Sequence, residues 1–222
     1  MANGAQIERD LAALGVPPHR IAAFPNGVLL PDAAELAKTL TQRAGNRFVF
    51  AGRLVSDKRP HVLVEAAIRL ATAPSPPLLV MLGDGPEEAP LAALASARGA
   101  SNVVLQGYVE DVYPHLLTSD FFVSASMREG QSDALLEAMS AGVIPIICGA
   151  SGATDVVTHG VTGYIVEKSE PDAFAAALRW ALGLTGAERE TMALACRSFA
   201  ERHIGIDAIA AKTIDMIESL RT

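Results

Sequence analysis

The run Phe121-Phe122-Val123-Ser124-Ala125 is followed by a helical stretch at Asp133–Ala141 and then, past Gly142, by Val143-Ile144-Pro145-Ile146-Ile147-Cys148. Both apolar runs are short and rich in the aromatic and β-branched residues that favour strands. Neither alternates with polar residues, so each reads as a strand buried on both faces. Two such strands closing around one helix belong to a parallel sheet.

The same order extends in both directions along the chain. Further buried strands are predicted at Arg47–Ala51, Leu78–Gly83, Val103–Gly107 and Gly163–Val166. Helices are predicted at Pro60–Thr72, Glu87–Ala97, Val112–Thr118 and Thr154–His159. Pro60 is a favoured first helical residue, and Gly142 and Gly160 stand where two helices should end. The expected fold is α/β, a Rossmann-like doubly wound parallel sheet with helices on both faces. After Val166 the pattern turns helical, over Pro171–Gly183, Thr185–Arg202 and Ile206–Leu220, and no internal repeat is visible. The Pro-rich stretch 73–77 is a loop, too short for a domain linker. Ala5–Leu14 reads as a helix stopped by Gly15, and Ile21–Phe24 as a short strand leading into Pro25-Asn26-Gly27-Val28.

At 222 residues and 50% hydrophobic composition the chain can bury a core and is not disordered as a whole. A formal charge of −7 argues against a nucleic-acid surface, while leaving room for a local basic pocket. Two cysteines, Cys148 and Cys196, are too few for a disulfide framework and read as reduced thiols. No 18-residue apolar run and no signal pattern is present, so a soluble, cytoplasmic protein is expected.

The chemistry concentrates around Glu129-Gly130-Gln131-Ser132-Asp133, with Glu137 further along. Gly130 lets backbone approach a ligand closely, and Ser132 is placed to cap the helix that follows. Free amides at that helix start suit a phosphate. Glu129 falls on the loop and Glu137 more than one turn inside the helix. Two carboxylates beside an anion site make poor phosphate ligands but good partners for hydroxyls, which points to a phosphate-linked sugar.

These residues resemble the Glu-x7-Glu motif of retaining glycosyltransferases with the GT-B fold, specifically the large family 4. The resemblance implies that Glu129 contacts donor-sugar hydroxyls and Glu137 the nucleotide ribose, with Gly130, Gln131 and Ser132 lining the same site. Gly52-Arg53-Leu54 with Lys58 matches the family's Gly-Arg-Leu and Lys pattern. By that likeness Arg53 and Lys58 hold the donor diphosphate, for which a forked guanidinium and a point charge are suited. Gly83-Asp84-Gly85-Pro86 matches the family's Gly-x-Gly-Pro turn, read either as shaping the nucleotide pocket through Gly85 or as a purely structural turn. It is not a dinucleotide fingerprint, because Glu88 stands where the third glycine would be, which disfavours a dehydrogenase. In Gln106-Gly107-Tyr108-Val109-Glu110-Asp111, backbone near Val109 is implied to meet the nucleobase, and Tyr108 either stacks there or packs within its loop. Gly149 to Asp155 resembles the family's Gly-Gly-x-x-Glu stretch with Ala153 and Asp155 substituted, which leaves Asp155 as a helix-start acid. No His, Cys or Asp-x-Asp spacing suggests a metal, and His159 reads as a helix-end residue.

The resemblance covers about residues 21 to 185. It implies a domain at 25–222 that binds a nucleoside diphosphate sugar, with 1–24 the end of an acceptor-side domain or a linker. The expected function is the GT-B C-terminal, donor half of a retaining glycosyltransferase. Neither cofactor nor metal is expected, and the acceptor would be held by a missing N-terminal domain of roughly 150 residues. Two alternatives stay open at this stage: a non-catalytic nucleotide-sugar-binding module, and one half of a split enzyme. Partners expected are the donor and the missing half, with no nucleic acid. Any attachment to the inner face of a membrane would come through that half, and an open cleft face would favour self-association.

Overall fold

The computed structural model describes residues 10–21, 26–127, 132–149 and 152–219. Its strands are β1 (Arg47–Ala51), β2 (Leu78–Leu82), β3 (Val103–Gly107), β4 (Phe121–Ser124), β5 (Ile144–Cys148) and β6 (Tyr164–Val166). They form one sheet in the order β3-β2-β1-β4-β5-β6, and every pairing among these strands is parallel. From β1 the chain first builds outward to β3, then returns to lay β4, β5 and β6 on the other side. The order therefore reverses between β1 and β4, the place where open α/β sheets bind ligands outside the carboxyl ends of their strands.

The helices are α1 (Ala33–Leu40), α2 (Pro60–Ile68), α3 (Glu88–Ala97), α4 (Tyr113–Leu117), α5 (Asp133–Ser140), α6 (Pro171–Gly183), α7 (Gly186–His203) and α8 (Ile206–Ser219). Residues 10–13 are also helical, and residues 22–24 of the strand expected at Ile21–Phe24 lie outside the described residues. Successive strand side chains point to opposite faces, so the inner strands each feed two cores. The edge strand β3 does not: Val103 and Leu105 face one core while Val104 and Gln106 are exposed, so it is not the strand buried on both faces that was expected. Phe48, Phe50, Leu79, Met81, Phe121, Val123, Ile144 and Ile146 join one core with α2, α3 and α6. Val49, Val80, Leu82, Phe122 and Ile147 join the other, with α1, α4 and α5. The rings of Phe48 and Phe121 stack at 4.8 Å across the β1–β4 pair, so the switch point itself rests on a closed aromatic contact.

Two differences from the sequence expectation have clear causes. Helix α1 was not anticipated, yet Asp32 caps it, its carboxylate accepting the amides of Ala34 at 2.9 Å and Glu35 at 3.0 Å. The stretch Thr154–His159 is not a helix. Only a 3-10 turn forms, at Gly152–Asp155. The β-branched run Val156-Val157-Thr158 is a poor helix former, and its two valines are buried. The Thr158 amide instead donates to the Thr162 hydroxyl at 2.8 Å. His159 is accordingly not a helix-end residue: its Nδ1 accepts the amide of Ile165 in β6 at 3.1 Å.

Candidate functional site

The loops after β1, β2 and β3 meet at the carboxyl edge of the sheet and are fastened to one another by backbone. The Gly52 amide donates to Leu82 O at 3.0 Å, the Leu54 amide to Asp84 O at 2.7 Å, and the Gly83 amide to Gly107 O at 2.7 Å. Gly83 has φ +126, and a Cβ there would lie 2.0 Å from Gly52 O. Gly85 is crowded in the same way, its Cβ position 2.4 Å from Leu54 O. The Gly-x-Gly-Pro turn thus works as a backbone buttress that fixes the Gly52-Arg53-Leu54 loop, with Gly85 packed against that loop.

Above this seam lies a cleft of about 240 Å³ whose walls include Gly52, Arg53, Asp84, Tyr108 and Val109. Four of the residues singled out in the sequence therefore come together there: Gly52, Arg53, Tyr108 and Val109. Tyr108 is 72% exposed, so the loop-packing reading of this ring does not hold. Arg53 is exposed, while Lys58 closes the 3-10 turn Ser56–Lys58 and is half-buried. Against a chain of net charge −7, the stretch 53–59 gathers Arg53, Lys58 and Arg59 at one loop.

Helix α5 starts on the far side of the switch point. Ser132 stands at its N-cap with extended backbone (φ −83, ψ 119), but its side chain makes no capping bond, contrary to the expected cap. The opposite end of α5 is held by two cations, the half-buried Arg43 and the buried Arg197. Arg43 donates to Ala141 O at 2.8 Å and Gly142 O at 2.7 Å, and Arg197 donates to Ser140 O at 3.0 Å. Burial lowers the Arg43 pKa to about 10, partly offset by Asp120. Cations at the last carbonyls match the negative end of the helix dipole. The positive end is left pointing toward the site.

Glu137 lines a second hollow of about 440 Å³ beside α5, with Asn26, Gly27, Leu29, Tyr113 and Asp133. It is not on the wall of the Arg53 cleft. The two hollows are neighbours through the start of α4, where Val112 faces the first and Tyr113 the second. Burial, then the nearby carboxylates of Asp133 and Asp111, hold the Glu137 carboxyl above its ordinary range. Tyr113 donates its hydroxyl to Leu29 O at 2.6 Å, and Asn26 Nδ2 donates to Asp133 Oδ1 at 2.5 Å. The stretch from Asn26 to Leu29 is thereby tied to both α4 and the first turn of α5.

Glu129, Gly130 and Gln131 lie outside the described residues. Asp155 is an exposed residue ending the 3-10 turn rather than starting a helix. Sequence reading passed over Arg43, Arg59, Tyr113 and Arg197. Only Arg59 carried a local signal, being a third cation beside Lys58.

Comparison with known proteins gives the family and agrees with the fold. The family model described as "Glycosyl transferases group 1" matches residues 32–197. A UDP-Gal:alpha-D-GlcNAc-diphosphoundecaprenol alpha-1,3-galactosyltransferase of Escherichia coli is 30% identical over 177 residues, covering 74% of this chain and 46% of that protein. A D-inositol 3-phosphate glycosyltransferase of Geodermatophilus obscurus is 31% identical over 224 residues, covering 92% of this chain and 48% of that protein. The chain thus spans about half the length of these curated relatives. The crystal structure of Anabaena HepE in complex with UDP superposes with a TM-score of 0.84 over 98% of this chain and 63% of that one, at 19% identity, which shows a shared fold. By its matched residues and its relatives, the chain belongs to the glycosyl transferases group 1 family.

Proposed function

We propose that this chain is the donor-binding half of a retaining glycosyltransferase of GT-B architecture, taking a nucleoside diphosphate sugar. The observation that carries the reading is the placement of Arg53 and Lys58 on the loop after β1, beside the point where the strand order reverses. The nucleotide lies in the cleft under Tyr108 and Val109, the diphosphate meets Arg53, Lys58 and the dipole end of α5, and the ribose reaches Glu137. Glu129 orients the sugar, alongside Gly130 and Gln131. Uridine is the first base to try, since HepE was crystallised with UDP and the Escherichia coli relative is named for UDP-Gal.

In this reading the acceptor hydroxyl oxygen bonds to the anomeric carbon from the face the diphosphate leaves. The carbon–oxygen bond to the β-phosphate breaks with its electron pair on the phosphate, and the hydroxyl proton is lost to solvent. Fixed cations at the diphosphate stabilise that departing charge, and need no metal to do so. The acceptor is bound by a second, N-terminal domain that supplies the facing wall of the cleft. Holding both reactants there is worth roughly 7–11 kcal/mol, so the 222-residue chain alone hydrolyses donor slowly and transfers little.

The test is a transfer assay with radiolabelled UDP-, GDP- and ADP-sugars on lipid and saccharide acceptors, with an N-terminal domain joined or supplied in trans, and NMR of the product. Product of unchanged anomeric configuration is expected, undiminished by EDTA. Inverted product would refute the retaining mechanism, and robust transfer by the 222 residues alone would refute the divided site.

A further inference from the structure

Among the described residues Arg59 is the one non-glycine with a positive φ, at φ 50 and ψ 46 in the left-handed region. A side chain there is strained in a way that glycine would not be. The position ends the turn Ser56–Lys58 and begins α2, and its amide donates to Ser56 O at 2.9 Å. A left-handed link is therefore built into the path of this loop. A large cation occupies it where glycine would be the relaxed choice, and strain of this kind gathers at functional sites.

The guanidinium does not stay with its own loop. Nη1 of Arg59 donates to Met127 Sδ at 2.9 Å, spanning from the loop after β1 to the loop after β4. It thus lies across the point where the strand order reverses. A thioether is a weak acceptor, and among the described residues it is the guanidinium's one hydrogen-bond partner. No carboxylate pairs with Arg59 among the described residues, although Arg69 has two such partners and Arg197 one. A half-buried guanidinium with most of its fork uncommitted, next to two further cations, is poised for a multivalent oxyanion.

We infer that Arg59 is a third cation of the donor site, which exchanges Met127 for the β-phosphate of the nucleoside diphosphate. The inference rests on the donor-site reading above. Charge counting explains why a third cation is useful. The diphosphate of a nucleotide sugar carries two negative charges, which Arg53 and Lys58 match. When the sugar leaves, the electron pair of the broken bond remains on the β-phosphate, and the proton of the acceptor hydroxyl goes to solvent. A third negative charge develops at the phosphate nearest the sugar, and Arg59 meets it. The residue therefore favours the free nucleoside diphosphate, and by extension the departing group, over the intact donor.

The experiment is isothermal titration of the 222-residue chain, and of Arg59→Gly and Arg59→Lys, with UDP, GDP and ADP and with their glucose conjugates, alongside thermal unfolding. Arg59→Gly should weaken the nucleoside diphosphate about ten-fold or more, and its glucose conjugate distinctly less. The same variant should unfold about 2–4 °C higher, because the left-handed strain is relieved. Arg59→Lys keeps charge and strain, and should fall between the two in affinity with little change in unfolding temperature. Binding by Arg59→Gly within two-fold of the unaltered protein would overturn the inference and leave the donor site standing. A lower unfolding temperature for Arg59→Gly would overturn its premise of strain. Absence of binding by the unaltered protein would remove the donor site and this inference together.

Discussion

The carbonyl oxygen of Gly52 occupies the space where a side chain on Gly83 would begin, 2.0 Å from the ideal Cβ position. Two loops from neighbouring strands are thus in backbone contact, and the loop carrying Arg53 is aligned by the loop after β2. The Leu54 amide bonded to Asp84 O at 2.7 Å continues the seam. Geometry at the cations therefore depends on the close backbone approach that these glycines allow.

Gly83→Ala should destabilise the fold by about 3 kcal/mol, from overpacking and a disallowed φ together. Gly99→Ala is the uncrowded reference, at a φ inside the left-handed well rather than beyond it as at Gly83. It also has positive φ, +59, but nothing lies within 4 Å of its Cβ, so only about 1 kcal/mol is expected. Urea unfolding of both variants separates the terms. Equal losses would show that backbone angle alone, and not the Gly52 contact, makes Gly83 necessary.

Arg53→Ala and Lys58→Ala should each weaken nucleoside diphosphate binding by about 1.5–3 kcal/mol, the value of a charge-assisted hydrogen bond. Arg53 is exposed, so its removal should leave the unfolding midpoint nearly unchanged. Binding isotherms beside denaturant curves check both halves. Retained affinity in either variant would take that cation out of the site.

Glu137 is held above the ordinary carboxyl range by burial first, and then by Asp133 and Asp111. A carboxyl whose folded pKa exceeds its unfolded value binds more protons in the native state between the two, so stability falls as pH rises through that interval. Above it the full penalty is present, and well below it there is none. Glu137→Gln should therefore unfold at higher temperature than the unaltered protein at pH 7, with the advantage shrinking toward pH 4. The same variant should bind nucleotide more weakly. A pH-independent difference in unfolding temperature would refute the electrostatic cause.

Cys196 is fully enclosed, donates its thiol to Thr162 O at 2.9 Å, and has its pKa pushed up by burial to about 12. The thiolate is the reactive form, so Cys196 should resist iodoacetamide in the native protein at pH 8 and label on unfolding. Mass spectrometry of the labelled peptide reads this out. Rapid native labelling would contradict the packing of α7 on the sheet.

Much of this fold was legible because β1, β2, β4 and β5 are buried on both faces. Continuous runs such as Phe121–Ser124 and Leu78–Leu82 have no competing periodicity. The helix expected at Thr154–His159 rested on Gly160 as its stop, and the β-branched run with the Thr158–Thr162 bond overrides that signal. Helix α1 was passed over although Asp32 and Glu35 carry a start signal. At the site, the loop positions of Arg53, Lys58 and Tyr108 followed from strand ends. The roles of Arg43, Arg197 and Tyr113 did not, because each acts on a carbonyl far away in sequence: Gly142 for Arg43, Ser140 for Arg197, Leu29 for Tyr113. No local pattern announces such a bond.

The central claim is that a nucleoside diphosphate binds at the carboxyl edge between β1 and β4. Isothermal titration of the chain with UDP, GDP and ADP, repeated on the Arg53→Ala, Lys58→Ala double variant, tests it most directly. At least one nucleotide should bind the unaltered protein and lose most of its affinity in the double variant, with the fold intact. Silence from all three at millimolar concentration, or binding unchanged by loss of both cations, would contradict it.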